Sequence, residues 1–346
     1  MGQLRCDPVG GRWVIVAAER GARPGDSRRG ARVPKGGFCP FCEGNEDRTP
    51  PEILAYRNDG LPADGPGWRV RVVPNKYPAL QSEGDPEQRD YGVYEVRNGI
   101  GAHEVFIESP KHVLSPTELP ADDLKEVMWA YQDRMRELKN DKRLIYALVF
   151  KNVGESGGAS VEHTHSQLIC TPVMPKRVQE EMANCEEFFK SEGRCLLCEI
   201  VAHELRERER VIVESDRFVA LAPYASRFPF EMWILPKGHA SHFEETPRDA
   251  LDEFAGVLHE ALLRLDASLE QPPYNYLLHT GPLTRAPVDY YHWHVEVIPR
   301  VTSVAGFEWG TGFYINPVAP ETAAECMRNV VLEEAREHAL GRGGAL

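Results

Sequence analysis

Two stretches of the chain repeat apolar residues at steps of three and four. Leu251, Phe254, Leu258, Leu262, Leu265 and Leu269 mark one face of a helix. Leu124, Met128, Tyr131, Met135 and Leu138 mark another, over residues 122–138. Thr246 and Pro247 stand before the later stretch, a pattern that predicts a Thr N-cap followed by Pro at the first helical position. Short apolar or alternating runs surround each helix as strands would. They are residues 69–73, 105–107 and 144–150 for the first, and 210–213, 218–221, 232–235 and 274–278 for the second. One helix per group of strands predicts an antiparallel sheet with helices packed on it, an α+β fold, rather than strict βαβ alternation. Residues 176–194 are charged, with a helix expected over 179–190. The expected organisation is a first unit at 1–175, a connector at 176–194 and a second unit at 195–346.

A repeated order of metal-binding residue types falls on this double pattern. The first half carries Cys39 and Cys42 as C-x-x-C, then His112, then His163-Thr-His165-Ser-Gln167. The second carries Cys195 and Cys198, then His239, then His292-Trp-His294-Val-Glu296. From His112 to His163 is 51 positions, and from His239 to His292 is 53. Four ligand types, twice in one order with a near-constant long gap, point to a tandem duplication in which each copy holds a metal. Two Cys and two His suit a closed tetrahedral zinc site of structural type, with iron as the alternative at the second. In the second copy His242 competes with His239, and only the parallel with His112 favours His239.

Alternate side chains of an extended segment share a face, so His163, His165 and Gln167 are expected to point together. With His163 on the metal, His165 is a free imidazole behind the glycine-rich residues 154–158, suited to act as nucleophile or general base. Gln167, an uncharged donor, suits a phosphoryl oxygen, whereas Glu296 in the equivalent place would repel one. The first copy is therefore expected to be catalytic. The glycine-rich stretch lacks the Lys-Ser/Thr ending of a P-loop.

Composition narrows the classes. A formal net charge of −13 over 346 residues argues against a nucleic-acid partner. No run approaches the ~20 apolar residues of a membrane span, and the N-terminus has no apolar secretory core, so the expectation is cytoplasmic. Eight cysteines then read as ligands or packed thiols rather than disulfides, with Cys6, Cys170, Cys185 and Cys326 expected to be structural.

Nearly the full length resembles the galactose-1-phosphate uridylyltransferases, two-repeat members of the histidine-triad superfamily. The resemblance rests on Arg20-Gly-Ala-Arg23-Pro24, Cys39-Pro-Phe-Cys42 with Gly44-Asn45-Glu46, residues 73–80 around Asn75, Ser109-Pro-Lys-His112, and Asn152 ahead of His163-Thr-His165-Ser-Gln167. It implies tandem histidine-triad-like repeats, with Cys39, Cys42, His112 and His163 as zinc ligands, His165 as nucleophile and Gln167 as its phosphoryl-contacting amide. It further implies that Asn75, Asn152 and Ser160 contact the nucleotide, that Arg20 and Arg23 lie near the phosphates, and that Phe307 and Glu308 align loosely with hexose contacts. The implied reaction is ping-pong: His165 takes UMP from UDP-glucose and passes it to galactose 1-phosphate, in a homodimer whose partner chain completes the site. Thr164 where many members have Pro, the tail at 306–317 and the second C-x-x-C look closer to a branch resembling ADP-glucose phosphorylase, which passes AMP to phosphate. A phosphoramidate hydrolase of the single-copy kind is a third reading. Gln167 speaks against it, because such proteins usually carry His there.

Overall fold

The computed structural model describes residues 2–19 and 36–343. Strands β1 (Gln3–Asp7) and β2 (Arg12–Val16) form a hairpin, followed by β3 (Leu54–Arg57), β4 (Trp68–Pro74), the hairpin β5 (Gln88–Tyr91) and β6 (Tyr94–Arg97), and β7 (Ala102–Ile107). Helix α1 (Ala121–Leu138), β8 (Tyr146–Val153) and β9 (His165–Thr171) complete the first copy. Then come α2 (Lys176–Glu192), α3 (Leu196–Glu207), β10 (Val211–Glu214), β11 (Phe218–Leu221), β12 (Met232–Pro236), α4 (Arg248–Leu269), β13 (Tyr274–His279) and β14 (His294–Pro299). The chain ends in α5 (Gly306–Thr311), β15 (Tyr314–Asn316), α6 (Pro320–Arg328) and α7 (Leu332–Gly343).

Ten strands make one antiparallel sheet in the order β10-β11-β12-β14-β13-β8-β9-β7-β4-β3. The two copies meet edge to edge where β8 pairs with β13, Phe150 opposite Leu277 and Asn152 opposite Asn275. One sheet therefore runs through both repeats. Leu168 and Cys170 of β9, Val295 and Val297 of β14, and the apolar faces of α1 and α4 share one buried core, so both long helices cover the same side of the sheet. The opposite side is treated differently in the two halves. Over the second copy, Val178, Met182 and Cys185 of α2 and Leu196, Leu197 and Val201 of α3 pack against Leu221, Trp233 and Leu235. Over the first, among the described residues, lies only a small cluster of Trp68, Val73, Val105 and Ile107, with Phe41 and Ala55 packed against it. A separate three-stranded sheet sets β15 parallel to β2 and joins the two ends of the chain.

The helices keep their predicted faces, with Leu124, Met128, Tyr131 and Met135 buried on α1 and Leu251, Phe254, Leu258, Leu262 and Leu265 buried on α4. The start of α4 differs from expectation. A 3-10 turn at Phe243–Glu245 takes up Thr246 as its end, Pro247 occupies the N-cap position, and the Thr246 hydroxyl has no partner. The strand expected over 144–150 begins and ends later, so that β8 includes Lys151 and Asn152. Cys170 and Cys185 are buried as expected of structural thiols, but Cys6 and Cys326 are exposed. Among the described residues no helix is long and apolar enough to cross a membrane.

Candidate active site and metal centres

Each C-x-x-C meets its two histidines in space. Cys39, Cys42, His112 and His163 bring their ligand-type atoms within 4.8 Å of one another, as do Cys195, Cys198, His239 and His292. The Nδ1 of His163 lies 3.5 Å from the Cys39 sulfur and 3.6 Å from that of Cys42, whose sulfur is 3.4 Å from His112 Nδ1. In the second cluster, Cys198 Sγ is 3.4 Å from Nδ1 of both His239 and His292. An ion bonded at about 2.3 Å to sulfur and about 2.0 Å to nitrogen, at tetrahedral angles, sets those atoms about 3.5 Å apart. The far ring nitrogens have backbone acceptors: His163 Nε2 donates to Ser109 O at 2.8 Å, His239 Nε2 to Val288 O and His292 Nε2 to Pro236 O, both at 3.0 Å. A proton held there leaves each Nδ1 lone pair for the metal, the arrangement that orients metal-bound imidazoles. The donor set and spacing fit a tetrahedral ion in both copies. His242, the rival of His239, is engaged elsewhere, with Nδ1 at 2.8 Å from Ser241 Oγ and Nε2 at 3.1 Å from Pro282 O.

His163 and His292 do not lie on the strands expected to carry them. Both β9 and β14 start at the second histidine, so His163 and His292 stand two residues outside the ladder and turn to the thiols. His165 opens β9, opposite Ile107 of β7, and Gln167 follows on the same face opposite Val105. The carbonyl of His163 accepts from His165 Nδ1 at 2.8 Å, so Nδ1 carries the proton and Nε2 the lone pair. Burial holds this imidazole below its ordinary pKa, and the ring of Phe41 packs edge-on at 5.3 Å. The neutral ring, with its free nitrogen fixed in direction, is a nucleophile in form.

The polar groups around His165 divide by face. On its own face, Gln167 Oε1 receives His103 Nε2 at 2.8 Å and Asn75 Nδ2 at 3.2 Å. Asn152 Oδ1 receives Asn275 Nδ2 at 2.8 Å across the joint between the copies, and Asn275 also donates to Gly157 O at 2.6 Å. Ser160 is exposed in the loop that leads to His163. On the helix side, Lys151 is fully buried and donates to Glu108, to Thr164 Oγ1 at 2.9 Å and to the His165 carbonyl at 3.0 Å. Tyr131 reaches Ser166 Oγ and Tyr276 OH, each at 2.6 Å. Burial alone would raise the Glu108 carboxyl, but the Lys151 ammonium together with hydrogen bonds from Thr164 and Ser166 outweighs it and holds the carboxyl below its usual range.

His103, Glu108, Lys151 and Asn275 escaped the sequence reading. A lone Lys in the apolar run before Asn152 and a Glu directly before Ser109 were the available signals, since an unpaired charge in a buried strand needs a partner. Arg20 and Arg23 lie outside the described residues. Phe307 is 45% exposed on α5, beside β15, and Glu308 Oε2 accepts from the backbone of Ala305 at 3.0 Å, capping that short helix.

The second copy fills its corresponding face with ion pairs. Glu296, at the place of Gln167, accepts from Arg227 at 2.8 Å, and Arg227 also binds Glu231. His294 stacks on His279 at 4.7 Å, and His279 lies between Glu181 of α2 at 3.4 Å and Glu296 at 3.5 Å. Burial would lower His279, but the two carboxylates outweigh it and raise it to about 9. Glu181, His279 and His294 form a third buried group of metal-ligand types.

Comparison with known proteins places this geometry. Residues 105–343 match the family model described as Domain of unknown function (DUF4921). The chain is 38% identical to an ADP-glucose phosphorylase from Arabidopsis thaliana, over 95% of this chain and 93% of that one. It is 29% identical to a galactose-1-phosphate uridylyltransferase from Thermotoga maritima, over 96% and 100%. The chain belongs to the galactose-1-phosphate uridylyltransferase family. The solved ADP-glucose phosphorylase from Arabidopsis thaliana with bound ADP-glucose superposes with a TM-score of 0.82, at 35% identity over 96% of this chain and 99% of that one. A solved uridylyltransferase superposes at 0.74, with 29% identity over 98% and 100%. Within the family, the chain carries features of the ADP-glucose phosphorylase branch, and it is an enzyme of nucleotidyl transfer.

Proposed function

We propose that the chain takes a nucleoside monophosphate from a nucleoside diphosphate hexose and passes it to a second acceptor through a covalent bond to His165. The Nε2 lone pair attacks the α-phosphorus. The bond to the bridging oxygen breaks, and hexose 1-phosphate leaves with that electron pair. The acceptor's phosphate oxygen then displaces His165 in the reverse sense. One observation carries this reading: His165 Nδ1 is committed to the His163 carbonyl, leaving Nε2 unprotonated beside the Gln167 amide. Cys39, Cys42, His112 and His163 would hold one zinc and Cys195, Cys198, His239 and His292 another, each tying down the strand end next to it. Tetrahedral spacing and second nitrogens bound to carbonyls support zinc over iron at the second position.

UDP-glucose as donor and galactose 1-phosphate as acceptor is the first reading, supported by the Thermotoga maritima relative and the solved uridylyltransferase. ADP-glucose as donor and phosphate as acceptor is the second, favoured by 38% identity against 29%. Incubation with each donor, labelled on the α-phosphate and without acceptor, decides between them: the true donor leaves its label on His165. Label from neither would defeat the proposal.

The enzyme is further proposed to act in the cytoplasm as a homodimer. Four thiols held as metal ligands suit a reducing compartment. A second copy would bring its Phe307 and Glu308 to the His165 face. Mixing a His165→Ala chain with a Phe307→Ala chain tests this, since only a shared site restores activity on mixing.

A further inference from the structure

We propose that His103 is a positioning residue that fixes which end of the Gln167 amide meets the phosphoryl group. The inference rests on the nucleotidyl-transfer reading above. A primary amide turns about its terminal bond at low cost, exchanging oxygen for NH2. Toward a phosphoryl oxygen, one orientation donates a hydrogen bond and the other opposes two acceptors. Gln167 therefore helps the reaction only if its surroundings choose the orientation.

The choice is traceable atom by atom. The backbone N–H of Ala79 donates to His103 Nδ1 at 3.1 Å. A neutral imidazole that accepts at Nδ1 carries its proton on Nε2. That N–H lies 2.8 Å from Gln167 Oε1. Asn75 Nδ2 lies 3.1 Å from His103 Nε2 and 3.2 Å from Gln167 Oε1; with the His103 proton on Nε2 only the oxygen can accept, so Asn75 is a second donor to it, its own amide being set by Tyr77 N–H on Oδ1 at 2.9 Å. Turning the Gln167 amide over would set NH2 against two N–H donors and break both bonds. The oxygen is held back, and the NH2 is what remains for the substrate.

The second copy supplies an independent comparison within the same chain. Val105 of β7 stands opposite Gln167, and Trp233 of β12 stands opposite Glu296. Two residues earlier are His103 and Glu231. Where the amide is absent the imidazole is absent too, and Glu231 and Glu296 share Arg227 instead.

The test is a double-mutant cycle on the intact enzyme, reading single-turnover labelling of His165 from UDP-glucose and ADP-glucose. His103→Ala is expected to slow labelling roughly tenfold to a hundredfold, with KM changed less than about threefold. His103→Gln, which keeps a donor, is expected to recover part of the rate. In a Gln167→Ala background, removal of His103 is expected to have no further effect. Losses that multiply in the double variant, or a His103→Ala rate equal to that of the unaltered enzyme, would overturn the proposal. A second readout does not need turnover: in glutamine-15N-labelled protein, the side-chain amide signal that vanishes in Gln167→Ala should shift in His103→Ala. An unmoved signal sinks the positioning role, whereas absence of label in the unaltered enzyme sinks only the functional reading.

Discussion

His165 and the groups beneath it are where single substitutions speak most clearly. His165→Ala should abolish covalent labelling, a loss of roughly a thousandfold or more, while metal content measured by elemental analysis stays unchanged, because the metal is assigned to His163 and not to its neighbour. Lys151 makes the opposite kind of case: it touches no substrate, yet its ammonium closes the charge of fully buried Glu108 and grips the His165 carbonyl. Lys151→Met should destabilise the protein to urea by about 3–5 kcal/mol, as an uncompensated buried charge does, and adding Glu108→Leu should recover most of it. Equal losses in the single and double variants would show that the pair is not what holds the strand. His165 and Gln167 were picked out in the sequence by residue type and period-two spacing, and β9 does set them on one face, opposite Ile107 and Val105. His103 and Asn275 were not, because their roles arise from neighbours 64 and 123 positions away. His163 shows the limit of that spacing argument, since it lies outside the strand that was expected to carry it.

Among the elements, α1 and α4 were readable because a long amphipathic face leaves a period that survives any loop length. Strand ends were less readable, as β8 shows by running on to Val153 through buried Lys151 and half-buried Asn152, whose polarity hides the strand. The start of α4 misled for a different reason: a 3-10 turn placed before Pro247 displaces the expected Thr cap. The short turn at Glu155–Gly157, between β8 and the His163 loop, gives an element-level prediction. A Cβ on Gly157 would come within 2.9 Å of the Tyr274 carbonyl, which belongs to β13 and cannot yield. Gly157→Ala should therefore displace the turn, cost about 1–3 kcal/mol of stability, and slow labelling of His165. Unchanged melting and unchanged labelling would show that the turn moves freely.

For the whole molecule, the two Cys/His clusters and the buried ion network of the second copy set the expected response to solution conditions. Removing metal with a strong chelator should lower the melting temperature and release two equivalents of zinc, whereas a chain without Cys195 and Cys198 should release one. His279 predicts a pH dependence. Its folded pKa of about 9 stands above the ordinary value of 6.5, so its ion pairs contribute fully below about pH 6.5 and are lost as pH rises toward 9. The contribution is of order 3 kcal/mol, and His279→Gln should flatten the melting curve over that range. A second equivalent released from the chain without Cys195 and Cys198 would instead assign a metal to Glu181, His279 and His294. The duplication was legible as a repeated order of ligands, but nothing in that order said how the copies join. They join through β8 and β13, and this has a cost for any shortened chain. Cut after residue 175, the first copy would keep His165 and Gln167 and yet present β8 as a bare row of amides and carbonyls, with Asn152 stripped of its guide. The second copy is thus a permanent donor strand, and neither gene half is expected to be portable without the other.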